Sequence, residues 1–199
     1  MNSKPVSLSG VILAGGKGTR MGHKDKSQIQ LQGRTLLDWS LDIAREIDGP
    51  IMLNTNQPDI CPTSKNLTLL SDPWPDFRGP LAGIYAAMQQ STSDYLAVLP
   101  VDAPLVPKTL FNDLLNHLLQ NKLDIVFAET PEQPHFLHAI IATSLKDELF
   151  RYLDQGQRAV GRFYKSHRYG SLAFRNTAAF LNINTPEDLT AANAFLSNG

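Results

Sequence analysis

Apolar and polar positions alternate along this chain in blocks, with short hydrophobic runs of strand length separated by longer stretches that carry helical spacing. Leu8 to Ala14 reads as a buried strand that breaks abruptly into glycines. Leu36, Ser40, Ile43 and Ile47 form one row and Leu37, Leu41 and Ala44 an adjacent one, predicting a helix buried on one broad side. Thr35 followed by Asp38 is its N-terminal signature, and Gly49-Pro50 its end. Ile51–Leu53 is a short strand that delivers Asn54, and Leu67–Leu70 another that delivers Asp72. An alanine-rich helix over Leu81–Gln90 and a strand over Tyr95–Leu99 lead to Pro100-Val101-Asp102-Ala103-Pro104.

Further along, a helix is expected from Pro107, with Leu110, Leu114, Leu115 and Leu118 inward. Strands are expected at Asp124–Ala128, Phe136–Ala142 and Tyr169–Phe174. Ser144 with Asp147 at its third helical position starts a helix that runs through Leu153, and Arg158–Tyr164 suits a short one. Thr185-Pro186-Glu187-Asp188 is the best-formed helix start in the chain, with a capping threonine, proline at the first position and acids at the next two. No repeat, low-complexity tract or linker interrupts this alternation, so one domain over residues 1–199 is expected. Strands alternating with helices imply an α/β fold with a mainly parallel sheet. Gly15, Asn54, Asp72 and Asp102 each follow a strand end, and in such a sheet those ends share the edge where ligands bind.

Composition narrows the classes. A net charge of -1 supplies no basic field for nucleic acid. The single cysteine, Cys61, excludes an intramolecular disulfide and a cysteine-based zinc site. No signal peptide and no run of membrane-spanning length is visible, so a cytoplasmic protein that engages neither nucleic acid nor membrane is expected.

The stretch from Val11 to Lys26 gathers four glycines and four cations. Glycines allow tight turns and close approach of backbone N–H groups to an anion, and cations beside such a loop suit phosphate. A solvated basic surface is the other reading, and the ordinary one for Lys17 and Lys24. Two familiar glycine loops fail on spacing: no glycine stands five residues before Gly16, as a P-loop requires, and Met21 occupies the third glycine position of the dinucleotide motif. A dinucleotide-dependent oxidoreductase is thereby disfavoured.

Asp102, fixed between prolines just past an apolar strand, suits Mg²⁺, which needs only one or two carboxylates beside substrate phosphates. Asp72 reads either as a turn former before Pro73 or as an acceptor for a base or ribose. Gly79-Pro80-Leu81-Ala82-Gly83 is either a helix start packed on the sheet or a backbone surface for reading a nucleobase. The five histidines lack metal-ligand spacing; His135 and His138 flank a strand that could face the crevice. Arg158 and Arg162 share a helical side and read as a solvated face or as a contact to an anionic second substrate.

With these residues in hand, the chain resembles the MobA-type molybdenum cofactor guanylyltransferases over nearly its whole length. The resemblance rests on Leu13-Ala14-Gly15-Gly16, Arg20-Met21-Gly22, Asp25-Lys26, Asn54-Thr55-Asn56, Asp72, Gly79–Gly83, Asp102-Ala103-Pro104 and Asn182–Leu189. It implies a Rossmann-like three-layer α/β/α nucleotidyltransferase fold and the transfer of GMP from GTP to molybdopterin with release of pyrophosphate. Implied GTP contacts are Leu13, Ala14, Gly15, Lys26, Asn54, Asp72 and Asp102, to which the glycine-loop and helix-start readings add Gly16, Gly79, Leu81 and Gly83 as nucleotide-binding candidates. Arg20, Lys26 and Asp102 are the implied catalytic set, Asp102 also holding Mg²⁺, and Asn182 and Asn184 the implied contacts to the second substrate. Proteins of molybdenum insertion and molybdoenzyme maturation are the implied partners. Two departures stand out: Val101 replaces a small residue or cysteine, and His135 precedes Phe136 where the family's strand opens with proline after glutamine or histidine. A CTP-dependent or sugar-phosphate relative, or a non-catalytic nucleotide binder on the same fold, remains an alternative reading.

Overall fold

The computed structural model describes residues 5–15, 26–56, 67–74 and 78–197. Among these, nine strands and six helices follow in the order β1 (Leu8–Leu13), β2 (Gln30–Leu31), β3 (Arg34–Thr35), α1 (Leu36–Ala44), β4 (Ile51–Asn54), β5 (Leu67–Leu70), α2 (Pro80–Gln90) and β6 (Tyr95–Pro100). Then come α3 (Leu110–Asn121), β7 (Ile125–Glu129), β8 (Pro134–Ala142), α4 (Lys146–Asp154), α5 (Val160–Lys165), β9 (Tyr169–Ala173) and α6 (Pro186–Ser197).

The main sheet has the order β5-β4-β1-β6-β8-β7-β9. β1, β4, β5 and β6 pair in parallel, as do β7 and β9, whereas β8 runs against both of its neighbours. The short connection 130–133 between β7 and β8 is the reason, since a parallel return needs a crossover of a dozen or more residues. The sheet is therefore mainly parallel, as the alternation of elements implied. From β1 the chain moves outward through β4 to β5, then crosses back to place β6 on β1's other side. The strand order reverses between β1 and β6, and the carboxyl ends of those two strands flank the crevice where open α/β sheets bind ligands.

Helices cover both faces. Leu36, Leu41, Leu110, Phe111, Leu114 and Ala192 pack with Ile12, Leu53, Leu99 and Ile140 on one side of the sheet. Leu81, Ile84, Leu149, Phe163 and Tyr164 pack with Val11, Leu13, Val98 and Ile141 on the other. Three layers result.

Element ends differ from the sequence reading where tertiary contact overrides local pattern. α1 stops at Ala44 instead of reaching Gly49, because the chain must lay Gly49 against Leu8, whose carbonyl oxygen lies 2.0 Å from the position a Cβ at 49 would take. Its start is as expected: Thr35 Oγ1 accepts from Asp38 N at 3.1 Å, and the Asp38 carboxylate accepts from Thr35 N. α3 begins three residues after Pro107, whose carbonyl accepts from Leu110 N in a turn. Ser144 lies in a short 3-10 turn and makes no side-chain cap. β8 opens at Pro134, directly after Gln133, two residues earlier than Phe136. The glutamine–proline opening noted above as missing is thus present.

Candidate active site

Backbone bonds beyond the strand ends carry the sheet's order into its loops. Ala14 N donates to Asn54 O at 2.9 Å, Val101 N to Leu13 O at 3.1 Å, and Thr55 N to Leu70 O at 2.8 Å. The loops after β1, β4, β5 and β6 thereby form one rim. Within it lies a cleft of about 160 Å³ lined by Leu13, Ala14, Gly15, Lys26, Asn54, Asp72, Gly79, Pro80, Pro100, Val101, Asp102 and Leu137.

The charged centre of the cleft is a pair 76 positions apart in sequence. Lys26 Nζ donates to Asp102 Oδ2 at 2.8 Å, with the two side chains 26% and 20% exposed. Neither is sealed in the core, so both charges remain within reach of a ligand. Asn184 Oδ1 accepts from the same ammonium group. Ile183 N donates to Asp102 O at 2.7 Å, tying the carboxy-terminal segment to the aspartate's backbone.

A second polar group stands opposite. Asn54, at the end of β4 and buried, donates from Nδ2 to Asp72 Oδ1 at 3.1 Å. Asn56 donates to Asp72 Oδ2 at 3.1 Å and accepts from Asp72 N through its own Oδ1. Two amides thus fix the plane of the Asp72 carboxylate while leaving oxygen lone pairs for a donor on a ligand. Asn56 was part of the Asn54-Thr55-Asn56 motif quoted from the sequence but was given no site role there.

Gly79 and Pro80 line the cleft at the start of α2, where Gly79 takes φ 71°, a conformation suited to glycine. Leu81 and Gly83 do not line it. Leu81 is wholly buried, and Gly83 leaves room for Asn54, whose Oδ1 lies 2.3 Å from where a Cβ at 83 would stand. Val101 has its side chain in the hydrophobic core, so its departure from the family pattern is absorbed by packing. Asn182 is exposed. Gly16 and Arg20, with the rest of 16–25, lie outside the described residues.

His135 and His138 turn away from the cleft. An irregularity between Phe127 and Ala128 in the β7–β8 ladder shifts the register of His135, so that its ring and that of His138 both pack on Phe180, with centroids 4.7 and 5.3 Å away. His135 Nε2 meets Thr130 Oγ1 at 3.1 Å, whereas His138 Nε2 is buried without a hydrogen-bond partner. Burial, reinforced by the neighbouring His135, lowers the His138 pKa to about 3 and keeps the ring neutral. Arg158 turns back to donate to Leu153 O at 2.8 Å near the end of α4, and Arg162 is exposed.

A wider groove of about 770 Å³ opens at the other edge of the sheet, lined among others by Asp94, Asp124, Lys146 and Arg168. Its strongest charges satisfy each other, Arg168 bonding both oxygens of Asp124 at 2.9 and 2.6 Å. The switch point and the Lys26–Asp102 pair, not size, select the smaller cleft.

A mixed sheet of this order, with a lysine and an aspartate meeting at its switch point, has the architecture of a nucleotidyltransferase. The molybdopterin-guanine dinucleotide biosynthesis protein A of Archaeoglobus fulgidus shares the fold with a TM-score of 0.79 at 23% identity, over 96% of this chain and 100% of that one. Rv0371c of Mycobacterium tuberculosis, solved as a complex with manganese, shares it with a TM-score of 0.71 at 17% identity, over 96% and 100% of the two chains. The chain belongs to the MobA-like NTP transferase domain family, whose sequence profile matches residues 10–169. Among its relatives, the molybdenum cofactor guanylyltransferase of Shewanella sp. strain MR-4 is 33% identical, covering 92% of this chain and 93% of that protein. The molybdenum cofactor guanylyltransferase of Polynucleobacter asymbioticus is 31% identical over 96% and 98%.

Proposed function

We propose that this protein transfers GMP from GTP to molybdopterin, with the triphosphate bound in the cleft between Lys26 and Asp102. The observation that carries the reading is the convergence of that ammonium and that carboxylate at 2.8 Å on the switch point of a chain similar, over nine-tenths of its length, to molybdenum cofactor guanylyltransferases.

The donor chemistry suits Mg²⁺. Among the described residues no group of three histidine, cysteine or acidic side chains could cage a metal, but Asp102 offers a hard carboxylate oxygen in the cleft. One carboxylate suffices for an ion that takes its remaining ligands from phosphates and water. When bound there, Mg²⁺ would neutralise charge on the phosphates.

The terminal phosphate of molybdopterin is already an anionic nucleophile and needs no general base. One of its oxygens forms a bond to the α-phosphorus of GTP, the bond from that phosphorus to the β-bridging oxygen breaks, and pyrophosphate leaves with the electron pair. Catalysis is then positioning and charge neutralisation. Lys26 and Arg20 balance charge on the triphosphate, and the backbone N–H groups of the loop glycines Gly15 and Gly16 orient it. Asp72, aligned by Asn54 and Asn56, accepts from a donor of the guanosine, beside the backbone of Gly79. No described helix is long and apolar enough to cross a membrane, and we place the reaction in the cytoplasm.

Pyrophosphate release with GTP, Mg²⁺ and molybdopterin tests this, with CTP as the control. Release with GTP and little with CTP is expected. Asp102→Asn should abolish release while leaving the melting temperature near that of the wild type, and equal release from the variant and the wild type would remove Asp102 from the mechanism.

A further inference from the structure

Lys26 is held by two acceptors, only one of them charged. An ammonium group carries three N–H donors and no acceptor. Asp102 Oδ2 takes one at 2.8 Å and Asn184 Oδ1 takes a second, leaving the third for an oxygen atom in the cleft that Lys26 lines. Two fixed acceptors orient the end of a flexible four-carbon stem before any ligand arrives, which lowers the ordering cost of binding. The second acceptor is an amide, so it directs the ammonium without cancelling its charge. A lone carboxylate would leave the lysine free to pivot about a single ion pair.

Asn184 is itself held firmly. Asp188 Oδ2 accepts from Asn184 N at 2.9 Å and from Thr185 N at 2.8 Å, while Thr185 Oγ1 accepts from Asp188 N at 3.2 Å. This closes a capping box on α6 and pins the backbone at residue 184 in the same contact. One residue earlier, Ile183 is wholly buried and its N–H bonds Asp102 O. Three residues before that, Phe180 is locked among His135, His138 and Phe174. The segment from 180 to 188 therefore behaves as a bracket held at one end by the rings around Phe180, in its middle by Asp102 and at the other end by the first turn of α6.

We infer that Asn184 is a positioning residue for Lys26, and that Asp188 extends this control to α6 by fixing the backbone at Asn184. The inference rests on the proposed reading of the cleft as the GTP site. It moves Asn184 from the second-substrate side, where the family resemblance put it, to the nucleotide side. The carboxy-terminal helix then contributes to nucleotide affinity without touching the nucleotide.

Calorimetric titration of the full chain with GTP and Mg²⁺, in the absence of any second substrate, separates the two roles. Asn184→Ala should weaken GTP binding about tenfold, the worth of a hydrogen bond to a charged group. Asp188→Ala should weaken it in the same direction, and Asp188→Asn, whose amide oxygen can accept the same two N–H bonds, should restore most of the affinity. In a Lys26→Ala background, adding Asn184→Ala should change nothing further, because its effect passes through the lysine. Asn184→Ala removes no backbone anchor, so it carries the test alone if Asp188→Ala fails to fold. Wild-type GTP affinity in Asn184→Ala would overturn the inference, as would an undiminished tenfold loss in the Lys26→Ala background. A wild-type protein that binds no GTP would instead refute the proposed function itself.

Discussion

Asn54 shows how one side chain depends on the absence of another. Its amide is directed at Asp72, and its carbonyl oxygen occupies the space that any side chain at 83 would need. Gly83→Ala would set a methyl group 2.3 Å from Asn54 Oδ1 and 2.9 Å from Leu13 Cδ2. The amide must rotate away, releasing one of the two contacts that align Asp72. Nucleotide affinity measured by calorimetry should fall by about tenfold, the equivalent of one hydrogen bond to a carboxylate; an unchanged affinity would separate Asn54 from the site. His138 carries a different consequence. Its folded pKa of about 3 lies below the ordinary 6.5, so below pH 6.5 the unfolded chain binds a proton that the folded chain refuses. The stability this neutral ring permits is fully present above pH 6.5 and declines as pH falls towards 3. Between pH 7.5 and 5.0 the loss should be about 2 kcal/mol. Urea titrations should show that His138→Leu, which keeps the volume and removes the titrating nitrogen, loses less over the same interval; equal losses would place the pH sensitivity elsewhere.

Helix starts and strand ends differ in how visible they are. Thr35 and Thr185 were readable as caps because the signal is local: a hydroxyl and an acid three residues apart satisfy each other within one turn. The same kind of signal at Ser144 failed, since a 3-10 turn over Thr143–Leu145 precedes α4 and carries the serine outside capping geometry. The end of α1 was not readable at all, because it is set by Gly49 meeting the backbone of β1, a contact across 41 positions. Gly49→Ala tests that origin directly. Its methyl group would lie 2.0 Å from Leu8 O, an atom held in the sheet, and stability measured by urea titration should drop by about 3 kcal/mol. A drop of a few tenths would mean that the turn yields easily and does not fix the end of the helix.

At the scale of the whole molecule, the carboxyl ends of β1, β4, β5 and β6 bring together residues spread from Gly15 to Asp102. This much was legible in the sequence, because each apolar run ended in a polar or glycine residue and a parallel sheet places such ends on one edge. The antiparallel β8 and the bonds of Asn184 and Asn56 were not legible. They depend on register and on side-chain approach across the edge, for which spacing along the chain carries no information. The turning of His135 into the core has the same origin, a ladder irregularity at Phe127–Ala128 that resets the face its ring takes, whereas His138 shares the core face of Ile140 by simple alternation. The proposed function requires one metal–triphosphate between Lys26 and Asp102, not in the wider groove at the far edge. Crystals grown with a non-hydrolysable GTP analogue and Mn²⁺, measured at the manganese absorption edge, locate the ion unambiguously. An anomalous peak in coordination distance of the Asp102 carboxylate, with phosphate oxygens beside Lys26 Nζ, is the predicted result. Manganese and nucleotide elsewhere, for instance beside Asp124 and Arg168, would contradict it.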